Sequence, residues 1–302
     1  MPDVVITEPG VYDLTNAEYH ADPVRGGSLS STGARRLLDA PAKFLTYIRG
    51  EEERPDSPSL DLGKVAHAKV LGVGQPVMVS DVDGRTKEGK RIREEAEAAG
   101  AILVKSETAE KVDAMAEALL AHPTARPLLE AESGWTEQTL VWRDRNVDVM
   151  RRAMLDFLPH WATARGEFIV PDYKTARSAR PSNVPKAIAE HGYHIQGEFY
   201  LDGIRALGLA GDAIPVFVLI FQEKVPPYLV TVVTPDAEMT KWARTQVEHA
   251  VRLYAECRRT DRYPGYGEGI QPVSLPRYAV FQLEEQAMSG VFDPPARSRK
   301  AS

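Results

Sequence analysis

The 302-residue chain has one cysteine, Cys257. That excludes an intrachain disulfide, a zinc site of cysteines alone and a four-cysteine iron–sulfur cluster. Cys257 itself reads as a helix residue with no special role. No apolar run approaches the ~20 residues of a membrane span. The opening MPDVVITEPG lacks a charged segment leading into an apolar one, so a cytoplasmic protein is expected. Basic charge is not in excess: 37 Lys and Arg against 43 Asp and Glu give a formal net charge of −6. This excludes a globally basic nucleic-acid coat, but a local basic groove can still carry phosphate contacts. No internal repeat or long low-complexity linker is visible. What is present, 43% apolar and 26% charged residues, is ordinary for a folded protein.

Residues 1–27 read as an extended lead-in, with turns at Pro9-Gly10, Asp22-Pro23 and Gly26-Gly27. The hydroxyl-rich stretch Ser28 to Thr32 marks a helix start, and Pro41 should restart that helix. After the charged loop EEERPDSPS comes a helix carrying Gly63 and His67. Residues 81–122 predict two helices with a turn near Gly100. From 135 the pattern turns to strands: TEQTLVW, VDVMRRAMLDFL and EFIVPDYK are expected to form a three-strand meander. The run from Pro185 predicts one helix of about 22 residues, longer than average. AIPVFVLIFQEK reads as a strand buried on both faces, YLVTVVTP as its neighbour, and DAEMTKWARTQVEHAVRLYAECRR as a closing helix. The expected fold is mixed α/β, with a helical N-terminal portion at 28–130 and a strand-rich catalytic core at 135–258. One domain should span 1–285, with 286–302 a disordered tail.

The chemistry gathers between Asp156 and Tyr200. An acid two residues before a lysine occurs at Glu88-Gly89-Lys90 and at Asp172-Tyr173-Lys174. The first lies in a polar helical stretch and reads as a solvated face. The second closes the apolar strand Phe168-Ile169-Val170, where period two puts Asp172 and Lys174 on one face. Asp156, ending the preceding strand, can reach the same point, and the Tyr173 carbonyl offers a further oxygen. Hard oxygen donors of this kind suit a divalent ion such as Mg²⁺. Lys174 would position or help deprotonate the attacking water and offset charge at phosphorus. Tyr193, Gln196 and Tyr200, at i, i+3 and i+7, share one helix face suited to phosphate or nucleotide. Gly63, one turn before His67, lets another backbone or a ligand approach the imidazole.

Together these residues resemble the PD-(D/E)XK nuclease superfamily. Gly63-x-x-x-His67 and Gln196-x-x-x-Tyr200 place the chain near its RecB-like branch, as does Ser28-x-Ser30 … Pro41-x-x-Phe44. Ala40 stands where some members carry a cluster-ligating cysteine, so no iron–sulfur cluster is implied. YDLTNAEYH, SLSSTGARRLL, LGKVAHAKVLG, RTKEGK, DYKTA, YHIQGEFY and FQEKVPPY look like the RecE-type exonucleases (exonuclease VIII and its phage and prophage relatives). That resemblance implies a nuclease-like core with a mixed central sheet flanked by helices. It implies Mg²⁺-dependent (Mn²⁺ substituting) 5′→3′ digestion of linear double-stranded DNA. The products are 3′ single strands for recombination through a RecT-like annealing protein in a bacterial host cell. It implies a homo-oligomeric ring that takes in duplex ends, and no membrane association.

Carried over by position, His67, Asp156, Asp172 and the Tyr173 carbonyl would be metal ligands and Lys174 the catalytic lysine. Glu137 matches an acidic residue upstream of the core, in support of a second metal or its waters. Gln196 and Tyr200, with Tyr193, would orient the DNA end. Ser28, Ser30, Arg35, Arg36, Lys87 and Lys90 are candidates for backbone contacts. Met154 departs from the basic residue that relatives often carry two before the first core aspartate; Arg151 and Arg152 are the expected compensation. Two other readings stay open: another nuclease of the superfamily, endonucleolytic or helicase-associated, and a DNA-binding module without turnover.

Overall fold

The computed structural model describes residues 4–52, 58–267 and 269–293. The chain divides into a large unit, Met1–Gly265, and a small one, Tyr266–Ser302. The large unit opens with β1 (Gly10–Asp13), α1 (Asn16–His20) and β2 (Ser28–Ser30). Four helices follow, α2 (Ser31–Asp39), α3 (Pro41–Ile48), α4 (Pro58–Leu71) and α5 (Lys87–Ala98), with β3 (Val77–Val79) between the last two. Next come β4 (Ile102–Val104), α6 (Ser106–Leu120), β5 (Gly134–Arg143), β6 (Met150–Pro159) and β7 (Glu167–Ala176). The unit closes with α7 (Val184–His191), α8 (Tyr193–Leu207), β8 (Ile214–Glu223), β9 (Val230–Val233) and α9 (Ala237–Thr260). The small unit holds α10 (Arg277–Met288), none of whose residues is buried.

Local chemistry sets several boundaries. Thr15 and Glu18 form a capping box that starts α1, a short helix inside what the sequence read as an extended lead-in. Ser30 Oγ accepts the Gly33 N–H at 3.1 Å and starts α2. Pro41 sits in the first turn of α3, where its missing N–H is no loss. Asp236 caps α9 through the Met239 N–H at 2.8 Å.

The central layer is mixed. β1, β5, β6 and β2 form one sheet, antiparallel except for the parallel β2–β6 pair; β7 pairs parallel with β8, and β9 antiparallel with β8. The two groups meet where the Tyr173 N–H of β7 donates to Asp156 Oδ2 of β6 at 2.8 Å. The main core lies between this layer and α2, α8 and α9, with Leu37, Phe199, Ile204, Val247 and Val251 against Leu140, Leu155 and Leu219. A second core packs Val65 and Ala66 of α4 and Met115 and Leu119 of α6 on Tyr173, Val218 and Ile220. The strand-rich core and its helical approach are thus the mixed α/β arrangement that the hydrophobic patterning predicts.

Three expectations are corrected. β5 and β6 form a hairpin, but β7 does not continue it as a ladder; its partner is β8, reached through the α7–α8 crossover. The long helix is two helices, because Gly192 takes the left-handed conformation at φ 65° and ends α7. Between α5 and α6 lies β4, paired parallel with β3. Of the expected tail, residues up to Met288 are helical and 294–302 lie outside the described residues. Residues 53–57 of the charged loop also lie outside them. Among the described residues no helix is long and apolar enough to cross a membrane.

Candidate active site

β7 places the acid and the lysine. Its alternation sends Phe168 and Val170 into the main core and Tyr173 into the second. Asp172 and Lys174 continue the face of Phe168 and Val170, with Lys174 Nζ 2.5 Å from Asp172 Oδ2. Asp172 is fully buried. From α8, Gln196 Nε2 donates to Asp172 Oδ1 at 3.0 Å and to the Tyr200 hydroxyl at 2.7 Å. Burial, and then the nearby charge of Asp156, push Asp172 up to about 6 against the pull of Lys174. For Lys174, burial opposes the charge, but Asp172 and Asp156 outweigh it and hold the ammonium well above its ordinary value. The ammonium also lies 5.3 Å from the centre of the Tyr193 ring, within cation–π range.

β6 and α4 bring the second carboxylate and the imidazole. Asp156 Oδ2 takes the Tyr173 N–H, and Asp156 Oδ1 lies 3.1 Å from His67 Nε2. α4 approaches β7 closely at Gly63, where a Cβ would stand 3.2 Å from Thr175 Oγ1. An alanine there would require Thr175 to give by a few tenths of an ångström, one turn before His67. Burial pushes Asp156 up, yet His67, Lys174 and the hydrogen bonds from His67 and the Tyr173 amide hold it down at about 2. Burial likewise disfavours the charged imidazole, but Asp156 raises His67 above its ordinary value.

Glu137 faces Asp156 across the hairpin, since Thr136 pairs with Phe157 and Gln138 with Leu155. Its Oε1 lies 3.8 Å from His67 Nδ1. Its φ of 48° is left-handed, a conformation that costs a non-glycine residue of order 1–3 kcal/mol and collects at functional sites. Burial, aided by the charge of Asp156, raises Glu137, against His67.

One imidazole and three carboxylates facing one region are a donor set for a divalent ion. Asp172 Oδ2 fits such a use: it is buried and accepts no well-directed hydrogen bond, although Lys174 stands beside it. Asp156, Asp172, His67 and the Tyr173 carbonyl would hold the ion, with Glu137 beside them. As they stand, the carboxylates are engaged with His67 and Lys174. No group of three His, Cys, Asp or Glu among the described residues is gathered closely enough to bind a metal directly.

Residues 30–276 match the model of a family described as a PDDEXK-like domain of unknown function (DUF3799). The chain belongs to this family. No curated protein matches it. Among solved structures, the PDDEXK-like domain is similar to a crystal structure titled "putative exonuclease" from Eubacterium rectale. The TM-score is 0.54 at 10% identity, over 90% of this chain and 98% of that one. At that identity the likeness is one of fold. The PD-(D/E)XK nuclease-like core expected from the motifs is the fold of this domain.

Other expected contacts fall elsewhere in the PDDEXK-like domain. Ser28 and Ser30 are buried. Ser28 bonds Asp22 and accepts from Arg152 at 2.8 Å, and Ser30 caps α2, so both hydroxyls are engaged inside the domain. Arg151 and Arg152 do not compensate for Met154 on the surface. Arg151 lies over the touching rings of Trp142 and Phe199 and is paired with Asp144 and Asp202. Arg152 holds the Ser28 and Tyr19 carbonyls. Gln196 and Tyr200 are buried, and Gln196 links the Tyr200 hydroxyl to the Asp172 carboxylate. Arg35 is engaged by Thr32 and the His191 carbonyl, and Arg36 pairs with Glu52. Lys87 and Lys90 are exposed on the first turn of α5.

Sequence reasoning missed Gln222. It accepts the Tyr173 hydroxyl at 2.6 Å and donates to the Met115 carbonyl at 2.7 Å, locking β7 between β8 and α6. The available signal was a glutamine at the end of the apolar run PVFVLIF, where a buried polar side chain needs a partner.

Proposed function

We propose that this protein is a Mg²⁺-dependent exodeoxyribonuclease that digests linear double-stranded DNA 5′→3′ and leaves 3′ single strands for annealing-based recombination. The observation that carries the reading is the meeting of Asp156, Asp172, Lys174 and His67, from three separate elements, at one partly exposed point. The RecE-type motifs supply polarity and substrate, and the same resemblance implies a ring around the duplex and a RecT-like annealing partner.

A divalent ion bound here supplies Lewis acidity and a water of lowered pKa. The chain's own groups do the rest. Asp156 and Asp172 carry the negative charge that selects a cation. Gln196 fixes the Asp172 rotamer, and the Tyr173 amide fixes that of Asp156. Lys174 stands beside Asp172 and serves as a hydrogen-bond donor and a cation beside the scissile phosphate, where charge develops.

The test is digestion of a linear duplex labelled separately at its 5′ and 3′ ends, with Mg²⁺ or EDTA, beside a closed circle. Loss confined to the 5′ strand of linear DNA, reduced at least 100-fold in Lys174→Ala, supports the reading. Cutting of the closed circle favours an endonuclease of the same superfamily. No cleavage with any divalent metal overturns the enzymatic reading and leaves a binding module.

A further inference from the structure

Two of the four tryptophans stand in solvent beside the site. Trp135, on β5, is 56% exposed and Trp161, just past β6, is 63% exposed. Neither belongs to a hydrophobic core. His160 joins them: its ring centre is 4.1 Å from that of Trp135, at 89°, and 5.4 Å from that of Trp161, at 39°. The His160 N–H donates to the Ser133 carbonyl at 2.8 Å, which pins the cluster to the start of the hairpin. An indole left in water gives up much of the area it could bury, and adjacent exposed aromatics mark contact sites.

Position and charge indicate what sits there. Trp135 lies two residues before Glu137 on β5, roughly 7 Å along a strand, and His160 four residues after Asp156, roughly 13 Å. That is one to a few nucleotides along a DNA strand. The loop HWATARG, residues 160–166, contains no acid and presents Arg165 to solvent, in a chain whose net charge is −6. Flat aromatic rings beside a basic group suit a nucleobase and its phosphate. A paired base inside a duplex has both faces stacked on its neighbours and a terminal pair offers only its outer face, whereas an unpaired base can turn a free face to an aromatic ring.

We propose that Trp135, His160 and Trp161 form a stacking platform for unpaired nucleotides at the DNA end held in the site. The proposal rests on the nuclease reading and refines it: the preferred substrate is a duplex end with unpaired bases over one that is fully paired.

The test measures binding in EDTA, where hydrolysis does not interfere. Wild type and Trp135→Ala/Trp161→Ala are titrated with a blunt duplex and with the same duplex carrying a three-nucleotide single-stranded extension on either strand. Wild type should bind one extended duplex at least tenfold more tightly than the blunt one, with quenching of tryptophan fluorescence. The double variant should lose that preference and still bind the blunt duplex as wild type does. Trp135→Phe/Trp161→Phe should restore most of the preference, which a merely structural role would not predict. Both side chains are exposed, so an unchanged melting temperature is expected for every variant. Equal preference in wild type and the alanine variant overturns the proposal. So does a fall in solution mass with unchanged preference, which assigns the patch to contacts between copies. Because the readout is binding, a wild type that fails to cleave DNA would sink the nuclease reading and leave this measurement standing.

Discussion

At the scale of single residues, the site holds opposite charges so closely that protons would compete with the proposed metal for it. His67 has a raised pKa, so its contribution to stability is present below the ordinary histidine range and lost as pH rises through the raised value. Asp172, raised to about 6, behaves alike: its contribution is present below the ordinary aspartate range and lost as pH rises through about 6. Asp156 has the opposite sign, contributing above the ordinary range and losing that only as pH falls through about 2. Chelated protein should therefore melt higher at pH 5 than at pH 8, and His67→Ala should flatten that difference. Metal binding runs the other way, since it needs a neutral imidazole and an ionised Asp172. Titration calorimetry should show Mg²⁺ affinity rising from pH 5.5 to 8 with proton release; affinity that is flat with pH would remove Asp172 and His67 from the ligand set. Glu137 gives a second single-residue test. Its left-handed backbone favours glycine, so Glu137→Gly should be more stable than Glu137→Ala by about 1 kcal/mol, while both lose the carboxylate and cleave more slowly. Denaturant melts of the pair read this directly.

At the scale of elements, the site depends on how closely α8 rests on the sheet. Gly197 follows Gln196, and a Cβ there would stand 2.2 Å from the buried Phe217 ring of β8. Gly197→Ala should cost about 1–3 kcal/mol through overpacking and should slow cleavage by shifting Gln196 off Asp172. A variant that melts as wild type does and keeps full activity would show that the ring yields freely. The elements also differ in how legible they are in the sequence. Period two along β7 placed Asp172 and Lys174 together, and the apolar β8 announced a strand covered on both faces. The partnership of β7 with β8 was not legible, because a parallel ladder forms through a crossover and leaves no local turn signal. Gly192 inside a helical pattern carried a readable break signal, yet apolar periodicity ran through it. β3 and β4, three residues each, are too short for alternation to stand out. The burial of Ser28, Ser30, Arg151 and Arg152 is not legible either, because polar residues are usually exposed and Ser28, Arg151 and Arg152 are held by partners distant in sequence.

At the scale of the whole molecule, every residue of the site and all three hydrophobic cores lie within Met1–Gly265. α3 is tied down inside that unit, where the Ala42 N–H donates to the Pro264 carbonyl at 3.1 Å and Phe44 packs edge-on against Tyr254 at 5.6 Å. The unit Tyr266–Ser302 contributes no buried side chain from its helix and leaves Ile270, Val273, Tyr278, Phe281 and Met288 exposed. Stability of the catalytic unit should thus be indifferent to the small unit. A chain ending at Gly265 should melt within about 2 °C of the full chain, since a change below 0.5 kcal/mol moves a domain of this size by no more than that. Its Mg²⁺-dependent cleavage of a short duplex should persist. If cleavage of short duplexes persists while long linear DNA is released after fewer steps, residues 266–302 serve in keeping hold of the substrate. If cleavage of the short duplex also fails while the fold stays intact, the small unit supplies a group to the chemistry, and the site built from Glu137, Asp156, Asp172, Lys174 and His67 is incomplete without it.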